Sequence, residues 1–141
     1  MLDGSGVNDG IVGIVGPQNT KGLRGYYNGP YMPTQVDDAP VAAFLKLWTA
    51  KYGTPPQARP NVYDMVGYGS TYVIAQAIKN AGPNPTWDSV IGAWEKLKDA
   101  KPSQLGGIDV TYAESFSPTD HQGNSRVGPA AIVKDKWRVV R

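Results

Sequence analysis

The sequence predicts an α/β fold that closes in a C-terminal β-hairpin. Three observations carry that expectation. Three segments repeat apolar residues at helical spacing between recognisable caps; short aromatic or β-branched runs flank them; and 17 glycines and 12 prolines divide the chain into many turns. Four Trp and eight Tyr argue for a packed core rather than disorder.

Residues 1–21 are Gly-rich, and Ile11, Val12, Ile14 and Val15 fit either a strand or a buried helical turn. Gly22 to Tyr27 reads as a strand closed by Asn28-Gly29-Pro30, and Pro33 favours extended geometry over Tyr31 to Gln35. The first long helix spans 39–52, with Asp38 as N-cap, Pro40 in the opening turn, and Val41, Phe44, Leu45, Trp48 and Tyr52 on one face before Gly53. The second starts at Val62 or Asp64 and ends at Ala81, before Gly82-Pro83. It is apolar or small nearly all round, which predicts burial on several sides, and Gly67, Gly69 and Ser70 allow close approach by another element or a ligand. The third opens at Thr86, places Trp87, Ile91, Trp94 and Leu97 on one side, and is expected to reach Ala100. Ile108 to Tyr112 alternates with period two, as a half-buried strand does. Ser115 to Arg126 is a polar loop, and residues 130–133 and 137–140 pair as the hairpin around Lys134-Asp135-Lys136.

Composition removes several function classes. A chain of 141 residues suits one ordinary domain. A net charge of +2 with no Lys/Arg stripe is too weak for a phosphate-tracking surface, so no nucleic-acid partner is expected. Without cysteine there is no disulfide, thiolate zinc site or cysteine nucleophile. Residues 1–10 carry neither a basic nor an apolar leader region, so no signal peptide is expected within them, and no apolar run approaches the ~20 residues that cross a bilayer. The lone His121 has no Gly-x-Ser-x-Gly elbow to serve and reads as a hydrogen-bonded loop residue. The two glutamates, Glu95 and Glu114, are expected at the surface, which leaves no acid/base pair. Asp3, Ser5, Asn8 and Asp9 do not follow a calcium-loop spacing, and Gly4-Ser5-Gly6 lacks a dinucleotide fingerprint. Neither catalytic residues, a metal site nor a cofactor is expected.

The segment best suited to a ligand is Asn61 to Ser70. A helix start offers unpaired N–H groups, and here it carries Tyr63, an aromatic with a polar tip, beside the carboxylate of Asp64. Such a set suits an organic molecule with a flat or apolar part and a polar head.

The same segment carries a resemblance. Tyr63-Asp64-Met65 followed by Tyr68-Gly69-Ser70-Thr71-Tyr72 through Gly82 resembles a helix of ABC-transporter substrate-binding proteins of the branched-chain amino acid type, the type I periplasmic binding proteins. In the same order, Gly22-Leu23-Arg24-Gly25 with Pro30-Tyr31 resembles a strand and its exit, Phe44 to Tyr52-Gly53-Thr54-Pro55 a helix, and Trp87 to Lys98 the next helix. Gly106 to Tyr112, Asp120-His121-Gln122-Gly123 and the terminal hairpin complete the series.

The resemblance implies a two-lobed fold of which residues 1–141 form the C-terminal portion, with parts of both lobes and the N-terminal portion missing. It implies a periplasmic or extracellular protein that binds a small polar organic ligand between its lobes, without chemistry, and hands it to an ABC permease. A ligand-sensing domain of a receptor or regulator on the same fold is the alternative. By position Tyr63 matches an aromatic that packs on the ligand. The family's ammonium-binding acidic residue lies in a Gly-rich turn corresponding to Asp3 through Asn8, where this sequence has no glutamate, so Asp3, Ser5 and Asp9 are candidate stand-ins. The ligand is accordingly expected to be an aromatic or other carboxylate, or an amide, rather than an aliphatic amino acid. Apolar surface on the helix 62–81 is expected to be covered by the missing portion or by self-association.

Overall fold

The computed structural model describes residues 9–53 and 60–140. In chain order the elements are α1 (Asp9–Val15), α2 (Pro17–Thr20), β1 (Arg24–Tyr27), α3 (Ala39–Tyr52), α4 (Val62–Asn80), α5 (Trp87–Trp94), a 3-10 turn at Pro102–Leu105, β2 (Gly128–Val133) and β3 (Lys136–Val139). The three strands form one antiparallel sheet in the order β1-β2-β3. The register pairs Arg24 with Ala131 and Tyr27 with Gly128, then Ala130 with Val139 and Ile132 with Trp137. Alternation along the strands sends Tyr27, Ala130, Trp137 and Val139 inward. The β2–β3 turn holds Lys134 and Asp135 at φ 52° and 61°, the left-handed geometry that suits hairpin twist but disfavours side chains.

Helix α4 organises the interior. Its buried residues Val62, Met65, Gly69, Val73 and Ala77 recur every three or four positions, a single face. Val62 joins the sheet cluster around Trp137, Met65 packs with Val41 and Phe44 of α3, and Val73 and Ala77 pack with Leu97, Ala100 and Phe116. The opposite side of α4 is open. Tyr63, Val66, Ile74 and Ile78 are all exposed, so burial on several sides does not hold among the described residues.

A second anchor is Gln35. Its side-chain oxygen accepts from the buried N–H groups of Met32 (3.0 Å) and Val139 (2.8 Å), and its amide donates to Asp38 Oδ2 at 2.7 Å. Thr34 Oγ1 donates to the Trp137 carbonyl at 2.6 Å. The segment expected to be extended, Tyr31 to Gln35, therefore holds a turn from Met32 to Gln35, followed by a second to Asp38, and is bolted to β3.

Other expectations need correction. The ambiguous run at 11–15 is helical, in α1. Strand β1 begins at Arg24 rather than Gly22. Helix α5 ends at Trp94, because Lys96 and Leu97 donate to carbonyls three residues back and Asp99 turns left-handed at φ 48°. Ile108 to Tyr112 is no strand. It lacks a partner strand: the Ile108 N–H donates to Tyr68 Oη at 3.1 Å, and the Val110 N–H to the Ile108 carbonyl at 2.9 Å. Beyond it, Ala100 with Glu114 and Ser117 with Asp120 form isolated bridges. The hairpin and the bounds of α3 are as expected.

Candidate functional site

A cavity of about 540 Å³ opens where four pieces of chain meet. One wall is the first half of α4, from Val62 through Tyr63 and Ser70 to Ile74; the end of β1 supplies Tyr27 and Asn28. Facing them runs the irregular segment Thr111 to Phe116, and the polar loop closes the side with His121, Gln122 and Asn124 next to Trp94 of α5.

Close packing sets these walls. A β-carbon at Gly69 would fall 2.5 Å from Thr111 Cγ2, so only glycine lets the 111–116 segment lie this near α4. Gly123, at φ 80°, brings loop backbone against Phe116 and the Glu114 carboxyl; a β-carbon there would sit 3.1 Å from Glu114 Oε2. The Ser115 N–H donates to the Gly123 carbonyl at 2.8 Å, holding the loop to the segment.

The lining is aromatic with polar tips. Tyr27 is buried, and burial, reinforced by the nearby phenols of Tyr112 and Tyr63, pushes its hydroxyl up to about 12. Trp94 packs on Phe116 with ring centroids 4.7 Å apart and on the His121 ring at 5.3 Å. His121 Nε2 lies 3.1 Å from Glu95 Oε1, so the loop histidine is hydrogen-bonded as expected, but at a cavity wall. Glu114 overturns the surface expectation. It is half-buried, burial raises its carboxyl above the usual range, and no hydrogen bond or ion pair reaches that carboxyl among the described residues. The Thr111 hydroxyl is also buried without a partner among the described residues.

The sequence-selected residues are placed as follows. Tyr63 stands at the cavity rim, 69% exposed, and also borders a second hollow of about 620 Å³ between α3 and α4. Asp64 lines that second hollow, beside Trp48 and Tyr52, and not the first. Its Oδ2 accepts from the Asn61 N–H at 2.7 Å, while Asn61 Oδ1 accepts from the N–H groups of Tyr63 (2.8 Å) and Asp64 (3.3 Å). This reciprocal capping box occupies two of the first-turn donors that a ligand would otherwise use. Asp64 and His121 thus line different cavities. Asp3 and Ser5 lie outside the described residues, and the side chain of Asp9 is not described. Sequence reasoning did not single out Tyr27, Trp94, Thr111, Tyr112 or Glu114. Among the described residues no cluster of three or more His, Cys, Asp or Glu could hold a metal, and no helix is long and apolar enough to cross a membrane.

An aromatic cleft with a few polar groups, on an α/β frame, is the architecture of a small-molecule binder. The chain belongs to the periplasmic binding protein family, whose model matches residues 2–136. It is similar in structure to a substrate-binding periplasmic protein from Ralstonia solanacearum, with a TM-score of 0.65 and 19% identity, over 96% of this chain and 36% of that one. It is similar also to an extracellular ligand-binding receptor from Rhodopseudomonas palustris, with a TM-score of 0.67 and 20% identity, over 99% of this chain and 39% of that one. At such identities the likeness shows the fold. The chain therefore spans less than two fifths of each of these larger structures, and its mixed α/β architecture is part of theirs. No curated protein matches it.

Proposed function

We propose that residues 1–141 are the C-terminal portion of an extracytoplasmic solute-binding protein that holds a small polar organic molecule between two lobes and delivers it to an ABC permease. The observation that carries this reading is the cavity between α4 and the Thr111–Phe116 segment, with its phenols, indole and one carboxyl. Aromatic faces supply contact area at low entropic cost, and the few polar groups orient the ligand. Family membership supports the binding role. Closure of a second lobe over this wall would complete the site by a hinge motion, without chemistry on the ligand. We take Tyr63, at the rim, as the aromatic that packs on the ligand, and Asp3 or Ser5 in the Gly-rich start as polar contacts; Asp64, engaged in the capping box and lining the second hollow, would reach only a ligand that extends there.

The test is calorimetry on the uninterrupted reading frame that contains this chain, titrated with amino acids, short amides and aromatic carboxylates. Saturable heat with the ligand recovered unchanged is the expected result. No heat with any class, or conversion of the ligand, would overturn it. A second reading, a ligand-sensing domain on the same fold, takes support from the Rhodopseudomonas receptor. The sequence preceding Met1 separates the two: a leader or lipid-attachment signal fits a transport protein, a membrane span or output domain fits a sensor.

A further inference from the structure

We propose that the ligand presents an organic ammonium to Glu114, the cavity thus selecting amines or quaternary ammonium compounds over acids and neutral analogues. The inference rests on the binding reading above and gives it a charge. Among the described residues Glu114 is the one carboxylate lining the cavity, and neither lysine nor arginine lines it. The histidine at the wall already has an acidic partner, Glu95, at 3.1 Å. Among the described residues, a ligand carboxylate would thus meet no free cation on this wall. An ammonium would meet a carboxyl without any partner among the described residues, framed by aromatic rings.

Those rings fit the same guest. Trp94, Phe116, Tyr112, Tyr27 and Tyr63 line the same cavity as Glu114, and aromatic rings attract cations. Gly123 shields Glu114 from one side, its backbone close enough that a β-carbon would sit 3.1 Å from Oε2. A carboxylate sheltered in this way is poorly solvated, so it gains more from a charged partner than an exposed one does. Its carboxyl is held above the usual range by burial, the state that a cation reverses.

Three probes on one skeleton test the charge: tyramine (ammonium), tyrosol (neutral) and 4-hydroxyphenylacetate (anion). Choline and its neutral isostere 3,3-dimethylbutan-1-ol extend the comparison to quaternary ammonium. Each is titrated into the full-length protein and its Glu114→Gln variant, alongside the amino acids, amides and carboxylates above. At least one cation is expected to bind about tenfold or more tightly than its neutral isostere, with the anion weakest, and Glu114→Gln should bring cation and isostere within about threefold. Binding of an acid or neutral compound without a cation preference, or a preference that survives Glu114→Gln, overturns the ammonium assignment and leaves the binding reading standing. No heat from any compound overturns both. Circular dichroism of the variant separates lost binding from lost fold.

Discussion

Two glycines of one helix, two residues apart, should answer oppositely to the same substitution. In α4 a β-carbon at Gly67 meets nothing within 4 Å, whereas at Gly69 it falls 2.5 Å from Thr111 Cγ2 and 3.0 Å from Thr111 Cβ. Gly67→Ala removes backbone freedom from the unfolded chain and should stabilise by about 0.5–1 kcal/mol. Gly69→Ala gains the same helical preference, but it forces the 111–116 segment away from the helix, an overpacking cost of about 1–3 kcal/mol. Because helical preference cancels between the variants, their difference isolates that cost, about 1–3 kcal/mol. Urea unfolding at constant m-value measures it. Adding Thr111→Ala to Gly69→Ala deletes the hydroxyl and methyl that the new carbon strikes, and should recover most of the loss. Thr111 Oγ1 has no partner to lose. Equal stabilisation by the two alanines, or no recovery in the double variant, would refute the close approach of Thr111 to α4 and with it one wall of the cavity.

Other expectations follow from single contacts. Gln35→Ala strips two buried N–H groups, of Met32 and Val139, of their acceptor and should cost about 2–4 kcal/mol in a urea melt. Asp135→Gly relieves a left-handed residue in the β2–β3 turn and should stabilise by about 0.5–1 kcal/mol in the same assay. Burial raises the folded carboxyl of Glu114 above its unfolded value, so its contribution favours the fold at low pH and is lost as pH rises through the folded value. Without ligand, Glu114→Gln should therefore raise Tm near neutrality and change it little at about pH 4; an identical shift at both pH values contradicts the burial. Tyr63→Ala should weaken ligand binding by about 1–3 kcal/mol in calorimetry, and an unchanged affinity removes Tyr63 from the site.

What was legible in the sequence follows from how local each feature is. Helix α3 could be bounded because Asp38, Pro40 and Gly53 act within their own turns. The hairpin could be placed because two apolar runs flank a short charged turn, although Lys136, read as part of that turn, pairs with Val133 in β3. The pair Asn61 and Asp64, three apart at a helix start, is a readable capping signature, and it assigns Asp64 a structural hydrogen bond that a reading for ligand contacts passes over. The cavity wall was not legible. Ile108 to Tyr112 has a strand's alternation, but Tyr68 Oη and a local turn engage its backbone, and nothing in its own residues foretells that. Glu114 looks solvated in sequence, and its burial depends on Gly123, nine positions on. Which face of α4 would be covered was hidden by its uniformly apolar composition; only its neighbours distinguish Val73 from Ile74.

One arrangement has a thermodynamic corollary. Val62, Met65 and the pair Val73 and Ala77 each sit in a different apolar cluster, and among the described residues α4 is the only helix or strand that reaches all three. The irregular segments tie them in pairs only, Met32 beside Tyr31 and Val110 near Phe116, so α4 is the rod common to all three. Unravelling α4 leaves each without a member at once, so its central amides exchange with solvent only when the whole described body opens. The β2–β3 hairpin belongs to one cluster, where Trp137 and Val139 pack with Val62 of α4.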